Sequence, residues 1–121
     1  MLFRSANDTV AVIVQAEHRD AVRNIQDIVR VPGLDGILIG PYDLASSLGH
    51  TGDVEHPDVR QAISTIRAAC RDVGMPTGIL GMTAEALAPH IQDGFTLLIA
   101  GIDVLMLGQT ARAMLEKTRS L

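Results

Sequence analysis

Tryptophan is absent from these 121 residues, and the other large aromatics amount to one tyrosine and two phenylalanines. That leaves no platform on which nucleic-acid bases would stack. Basic runs are missing as well. Ten Lys and Arg against fourteen Asp and Glu give a net charge of −4, which disfavours nucleic acid or an anionic membrane as a partner. The single cysteine, Cys70, excludes an internal disulfide and suits a reducing compartment. No segment approaches the roughly 18 apolar residues of a membrane span. The opening MLFRSANDTV lacks the apolar stretch of a signal peptide. The expectation is a soluble, cytoplasmic, mildly acidic domain with 47% apolar residues to build a core.

What the chain does have is alternation. VAVIVQ (10–15) is a β-branched run of the kind buried on both faces of a parallel sheet. Val22, Ile25, Ile28 and Val29 then mark an amphipathic helix over 20–30, stopped at Pro32-Gly33. GILI (36–39) is a second strand, followed by one or two helical turns over 43–48. After a polar loop, Pro57 opens a helix carrying Val59, Ala62, Ile63, Ile66, Ala69, Cys70 and Val73 on one face, capped by Gly74. PTGILG (76–81) is a third strand. Thr83 caps a helix running towards Asp93, which Pro89 is expected to kink or split. TLLIA (96–100) is the fourth strand. Asp103 caps a last helix with Val104, Leu107, Ala111, Met114 and Leu115 inward.

Four β/α units with no linker composition between them predict one α/β domain over 1–121 with a parallel sheet. Two geometries fit: an open doubly wound sheet, or half of a (β/α)8 barrel, since a whole barrel takes about 250 residues. Either way, ligands bind beyond the carboxyl ends of the strands. Those ends present Gln15-Ala16-Glu17, then Gly40-Pro41-Tyr42-Asp43, then Leu80-Gly81-Met82. Neighbouring strands lie about 4.8 Å apart, so Glu17 and Asp43 are within reach of one ion. Two carboxylates on rigid strand ends suit Mg²⁺ or Mn²⁺ better than Zn²⁺. The plainer alternative has Glu17 in solvent and Asp43 as the N-cap of the helix at 43–48. Gly40 and Pro41 would also turn the Tyr42 and Asp43 amides outward as a cradle for a carboxylate or phosphate.

QAEH (15–18), VPGLDGILIGPYDLASSLG (31–49), HPDV (56–59) and GFTLLIAGIDV (94–104) resemble the HpcH/HpaI aldolase and citrate lyase family. They are most similar to its metal-dependent class II pyruvate aldolases. The resemblance implies a fragment of an enzyme that cleaves 4-hydroxy-2-oxo acids to pyruvate and an aldehyde. It implies Glu17 and Asp43 as ligands of a divalent cation, Mg²⁺ or Mn²⁺ first and Co²⁺ as a further candidate. It also implies Gln15 beside the pyruvyl group, the Gly40-Pro41-Tyr42-Asp43 turn on its carboxylate, and Leu80 on the aldehyde pocket. Members of the family are about twice as long, so this chain corresponds to the C-terminal half of the barrel. Met1 then reads as an internal start, a truncated gene product or an expressed half. The family's enolate-stabilising arginine and its proton-handling histidine–acid pair belong to the other half.

Two open sheet edges predict a homo-oligomer. The rival functions are a catalytically silent scaffold that oligomerises and binds metal, and a lyase acting on a CoA thioester. Against the last, no basic cluster is present to hold a CoA phosphate. His18 is expected to point away from the site, and Cys70 to be an inert core thiol. His50, Asp53, Glu55 and His56 read as a solvated loop or subunit contact, because their spacing fits no standard metal site. Met75, Met82, Met106 and Met114 read as packing residues.

Overall fold

A computed structural model describes residues 6–121. Four parallel strands lie side by side in chain order: β1 (Ile13–Ala16), β2 (Gly36–Ile39), β3 (Thr77–Gly81) and β4 (Leu97–Ala100). A short α1 (Ala6–Thr9) precedes them. Two short helices, α2 (Arg19–Arg23) and α3 (Ile25–Ile28), join β1 to β2; α4 (Pro41–Leu48) and α5 (Pro57–Asp72) join β2 to β3. Then α6 (Ala84–Gln92) joins β3 to β4, and α7 (Asp103–Arg119) follows β4. A doubly wound sheet reverses its strand order at a switch point. The unbroken 1-2-3-4 order is instead that of a barrel wall, with the connecting helices packed against one face.

Register assigns the faces. Ala16, Ile39, Ile79 and Leu98 stand in one row across the sheet, with Val14, Ile37 and Thr77 in the row behind. On this side Ile37, Ile39 and Ile79 meet Ile25, Val29, Leu44, Ile66, Cys70, Leu87 and Phe95 in one buried cluster. Most of the α5 stripe comes out as the periodicity requires, with Val59, Ala62, Ile66, Ala69 and Cys70 buried and Ile63 half-buried, but Val73 ends the helix as its C-cap and is exposed. Each large side chain in it is worth about 1.5–3 kcal/mol of burial. The opposite rows carry Gln15, Leu38, Gly78 and Leu97, with Leu80 beside Ile99. That face stays partly open: Ile13 and Ile99 are exposed, and Leu38, Leu80 and Leu97 are half-buried.

Several expectations are corrected. The first strand is shorter than 10–15 and is not buried on both faces; only Ala16 of β1 is buried. It forms a sheet edge, held at its start by Asp35, whose carboxylate accepts the Val12 N–H at 2.7 Å while its own N–H donates to Val12 O. The helix over 20–30 is two helices separated at Asn24, which ends one and caps the next. Pro89 does not split α6, which runs through it. Ile102, not Asp103, occupies the N-cap of α7, and the Asp103 carboxylate accepts the Val104 N–H from the first turn. The inward stripe of α7 faces outward: no residue of this helix is buried, and Leu107 is 72% exposed. Met106 and Met114 are exposed too, whereas Met75 packs against the core. The reading of Met1 lies outside the described residues.

Candidate functional site

Strand pairing carries on just past β1 and β2, where the Gly40 N–H donates to Ala16 O at 3.4 Å. Side chains two apart share a face, so Gln15 and Glu17 rise on the side where Gly40 has no side chain. A Cβ built on Gly40 would meet Gln15 Nε2 at 3.0 Å, Glu17 Oε2 at 3.0 Å and Glu17 Cβ at 3.1 Å. Gly40 is required here for close approach. With Ile39 beside Ile79 in the register, Leu80 follows on the same face one strand over, half-buried.

The chain turns directly from Gly40 into α4. Gly40 is the N-cap in an extended conformation, Pro41 is the first helical residue, and the first helical bond runs from Leu44 N–H to Gly40 O at 3.0 Å. Asp43 is therefore not the cap; it lies within the first turn, exposed. Pro41 has no N–H to leave orphaned. The Tyr42 and Asp43 amides sit at second and third helical positions, which have no acceptor within the helix and stand at its positive end. Pro41 is buried and Tyr42 is exposed, so the turn is anchored while its outer edge is open. The structure thus groups Gln15, Glu17 and Gly40 in contact and sets Pro41, Tyr42 and Asp43 immediately after them.

A cavity of about 530 Å³ lies between α5 and α6 over the end of β3. Of the strand-end residues, Pro41, Tyr42, Leu80, Gly81 and Met82 line it, and Gln15, Glu17 and Asp43 do not. Its walls include Arg67, which lies 5.9 Å over the Phe95 ring and 3.8 Å from Asp93. This is a groove between neighbouring helices, and Glu17 is not among its walls. The carboxylate and amide donors lie at the strand ends, and there the candidate site is placed.

His18 turns away from this site, as expected. It is the N-cap of α2, and its Nδ1 accepts the Asp20 N–H at 3.2 Å. Cys70 is fully buried, and burial pushes its thiol pKa up. The loop after α4 brings residues together that lie apart in sequence. Loop residues His50 and His56 stack ring on ring at 3.4 Å, and Asp58 joins them through a 3.0 Å contact to His50 Nε2. Spacing along the chain hid this. The available signal was Pro57, which starts a helix and so puts His56 at its N-cap beside Asp58 in the first turn.

Comparison with known proteins agrees with the family resemblance. The family described as HpcH/HpaI aldolase/citrate lyase matches residues 2–109. Hydroxypyruvate/pyruvate aldolase of Roseovarius nubinhibens is 40% identical over 116 residues, 96% of this chain and 45% of its own length. The 4-hydroxy-2-oxo-heptane-1,7-dioate aldolase of Shigella sonnei is 34% identical over 111 residues, 92% of this chain and 42% of its own length. The crystal structure of an HpcH/HpaI aldolase/citrate lyase family protein from Burkholderia cenocepacia superimposes with a TM-score of 0.89 at 38% identity. That match covers 96% of this chain and 45% of the other. The chain spans less than half the length of each of these relatives. In sequence and in fold, it belongs to the HpcH/HpaI aldolase/citrate lyase family.

Proposed function

We propose that this chain is the cation- and pyruvate-binding half of an aldolase that cleaves 4-hydroxy-2-oxo acids to pyruvate and an aldehyde. The observation that carries the reading is the packing of Gln15 and Glu17 on Gly40, directly ahead of the free amides of α4. A divalent cation fits this donor set. Glu17 and Asp43 supply hard oxygen ligands, and the missing side chain at Gly40 leaves the space that Glu17 fills. Mg²⁺ or Mn²⁺ suits two carboxylates best, with Co²⁺ third. Bound there, the cation supplies Lewis-acid polarisation of the 2-oxo group.

The chain's own groups bind and orient. The Tyr42 and Asp43 amides hold the substrate carboxylate, helped by the positive end of α4. Gln15 hydrogen-bonds beside the 2-oxo group, and Leu80 borders the space for the departing aldehyde. When the C3–C4 bond breaks, its electron pair stays on C3 as a pyruvate enolate, and the C4 hydroxyl loses its proton. We assign that proton, and the arginine that stabilises the enolate, to the barrel half that this chain does not contain. The test pairs Mn²⁺ titration with a lactate-dehydrogenase-coupled assay of pyruvate release from a 4-hydroxy-2-oxo acid. Mn²⁺ binding that weakens at least about tenfold in Glu17→Gln and in Asp43→Asn supports the reading. Affinity unmoved by both substitutions overturns it.

A second reading, an associating scaffold without turnover, is favoured by the apolar faces left open on β1 and α7. The coupled assay separates the two: turnover that depends on added Mg²⁺ or Mn²⁺ excludes the silent scaffold. In both readings the chain associates with a second copy through its open sheet edges, and its place is the cytoplasm.

A further inference from the structure

We propose that His50, His56 and Asp58 form a second cation site, separate from Glu17 and Asp43, for a borderline transition dication such as Zn²⁺. The proposal stands apart from the aldolase reading. Among the described residues this is the one set of three such side chains whose ligand atoms converge, all within 4.8 Å of one another. The two imidazoles stack at 3.4 Å and 14° from parallel. Each turns a nitrogen towards the same Asp58 Oδ2, His50 Nε2 at 3.0 Å and His56 Nδ1 at 3.7 Å. A tetrahedral zinc with bonds of about 2.0–2.1 Å sets its ligand atoms about 3.4 Å apart. The two Asp58 separations bracket that value, and closing the set on an ion requires the imidazoles to turn out of their stack so that both in-plane nitrogens face it.

The donor types choose the metal. Two imidazoles and one carboxylate suit Zn²⁺, Co²⁺ or Ni²⁺ and not Mg²⁺, which takes oxygen ligands. Asp58 is exposed, so the fourth position is open to water. The backbone is already fixed around the ligands. The His50 N–H donates to Ala45 O at 2.8 Å, the Asp53 N–H to His50 O at 2.9 Å, and the His56 N–H to Asp53 O at 3.3 Å. His56 Nδ1 also accepts the Asp58 N–H at 3.2 Å as the N-cap of α5. Coordination through that nitrogen exchanges a single cap bond for a metal bond, the smaller term for the larger. The positive end of α5 opposes a cation, and the Asp58 carboxylate in its first turn offsets it. An ion held here ties the end of α4 to the start of α5.

The test is calorimetric titration of Zn²⁺ into the full chain carrying Glu17→Gln and Asp43→Asn, which removes the other candidate ligands. One equivalent bound, weakened at least about tenfold by His50→Ala, by Asp58→Asn and by His56→Asn, supports the site. Asparagine at 56 retains an N-capping group, so that variant isolates the imidazole from the cap. No binding in this background, or an affinity that His50→Ala leaves unchanged, overturns the proposal. A second measurement needs no substitution. The chain has four histidines, and on Zn²⁺ addition the ring resonances of His50 and His56 move together while those of His18 and His90 stay. Movement of His18 or His90 without the pair overturns it equally.

Discussion

Glu17 and Gly40 are matched across the end of the β1–β2 pairing: a methyl group on Gly40 would stand 3.0 Å from Glu17 Oε2 and 3.1 Å from Glu17 Cβ. The carboxylate tip can swing away, but the Cβ is fixed by the strand. Gly40→Ala therefore displaces the Glu17 side chain and costs about 1–3 kcal/mol of overpacking. Mn²⁺ titration monitored by electron paramagnetic resonance should show at least about tenfold weaker binding in Gly40→Ala, close to the loss in Glu17→Gln. Parent-like affinity in Gly40→Ala would remove Glu17 from the ligand set.

Two apolar residues of similar size should behave in opposite ways. Ile66 is wholly buried in the α5 stripe, whereas Leu107 on α7 is 72% exposed. Ile66→Ala should lower the unfolding free energy by about 2–5 kcal/mol, because it removes packed methyls and leaves a cavity. Leu107→Ala in dilute solution should change it by no more than about 0.5 kcal/mol. Urea denaturation of both variants checks the pair. Equal losses would mean that α7 is packed in a way its exposure does not show.

That contrast shows where sequence reading succeeds and where it stops. The runs at 36–39, 76–81 and 96–100 each contain an observed strand, and α5 presents the apolar face that its spacing requires. Periodicity reports which side of an element is apolar. It does not report whether anything is there to cover it, which is why the apolar spacing of α7 and β1 points inward while both stand open. The closeness of Gln15 and Glu17 to Gly40 was legible because they stand at the ends of consecutive strands in a parallel register. His50 and Asp58 were not, since their meeting depends on how a loop folds back on a helix start.

Cys70 makes stability fall in mild alkali. Its side chain is fully buried, and desolvation raises its pKa above the ordinary value, against a smaller lowering by the Thr77 hydroxyl. A raised folded value leaves stability intact below the unfolded thiol pKa of about 8.5. It is lost as pH rises from there through the folded value, where the unfolded chain ionises first. Cys70→Ala should flatten the alkaline side of a stability–pH curve. In the parent, thiol alkylation should be slow in buffer and fast in denaturant; fast alkylation of the folded chain would contradict the burial.

The start of α6 gives an acid-side counterpart. Thr83 Oγ1 accepts the Ala86 N–H at 3.2 Å, and the Glu85 pKa is lowered by its own backbone N–H and then by the Thr83 hydroxyl. A lowered folded value gives stability that is present above the unfolded carboxylate pKa and is lost as pH falls through the folded one. Thr83→Ala should cost about 1 kcal/mol at neutral pH through the cap. It should also bring the Glu85 titration, followed by carboxyl chemical shifts, back towards the ordinary range. An unmoved Glu85 titration would leave the cap without its electrostatic part.

The open faces predict how the chain behaves at higher concentration. Val12 just before β1, Val14 on it, and Val104, Leu107, Met114 and Leu115 on α7 are all exposed apolar residues at the two ends of the strand order. With parallel strands in the order 1-2-3-4, β4 of one copy can pair with β1 of another, and the reverse, in a single two-fold arrangement. That closes eight strands, the number whose interior side chains fill a barrel. The same junction lays α7 of each copy beside β1 of its partner, covering both exposed sets at once. Sedimentation and light scattering across a dilution series should therefore show a dimer that dissociates on dilution. Leu107→Glu should favour the monomer without unfolding it, because nothing in the monomer packs over that side chain. A monomer at every concentration would sink the two-fold closure, and an unbounded polymer would mean that the edges pair without closing.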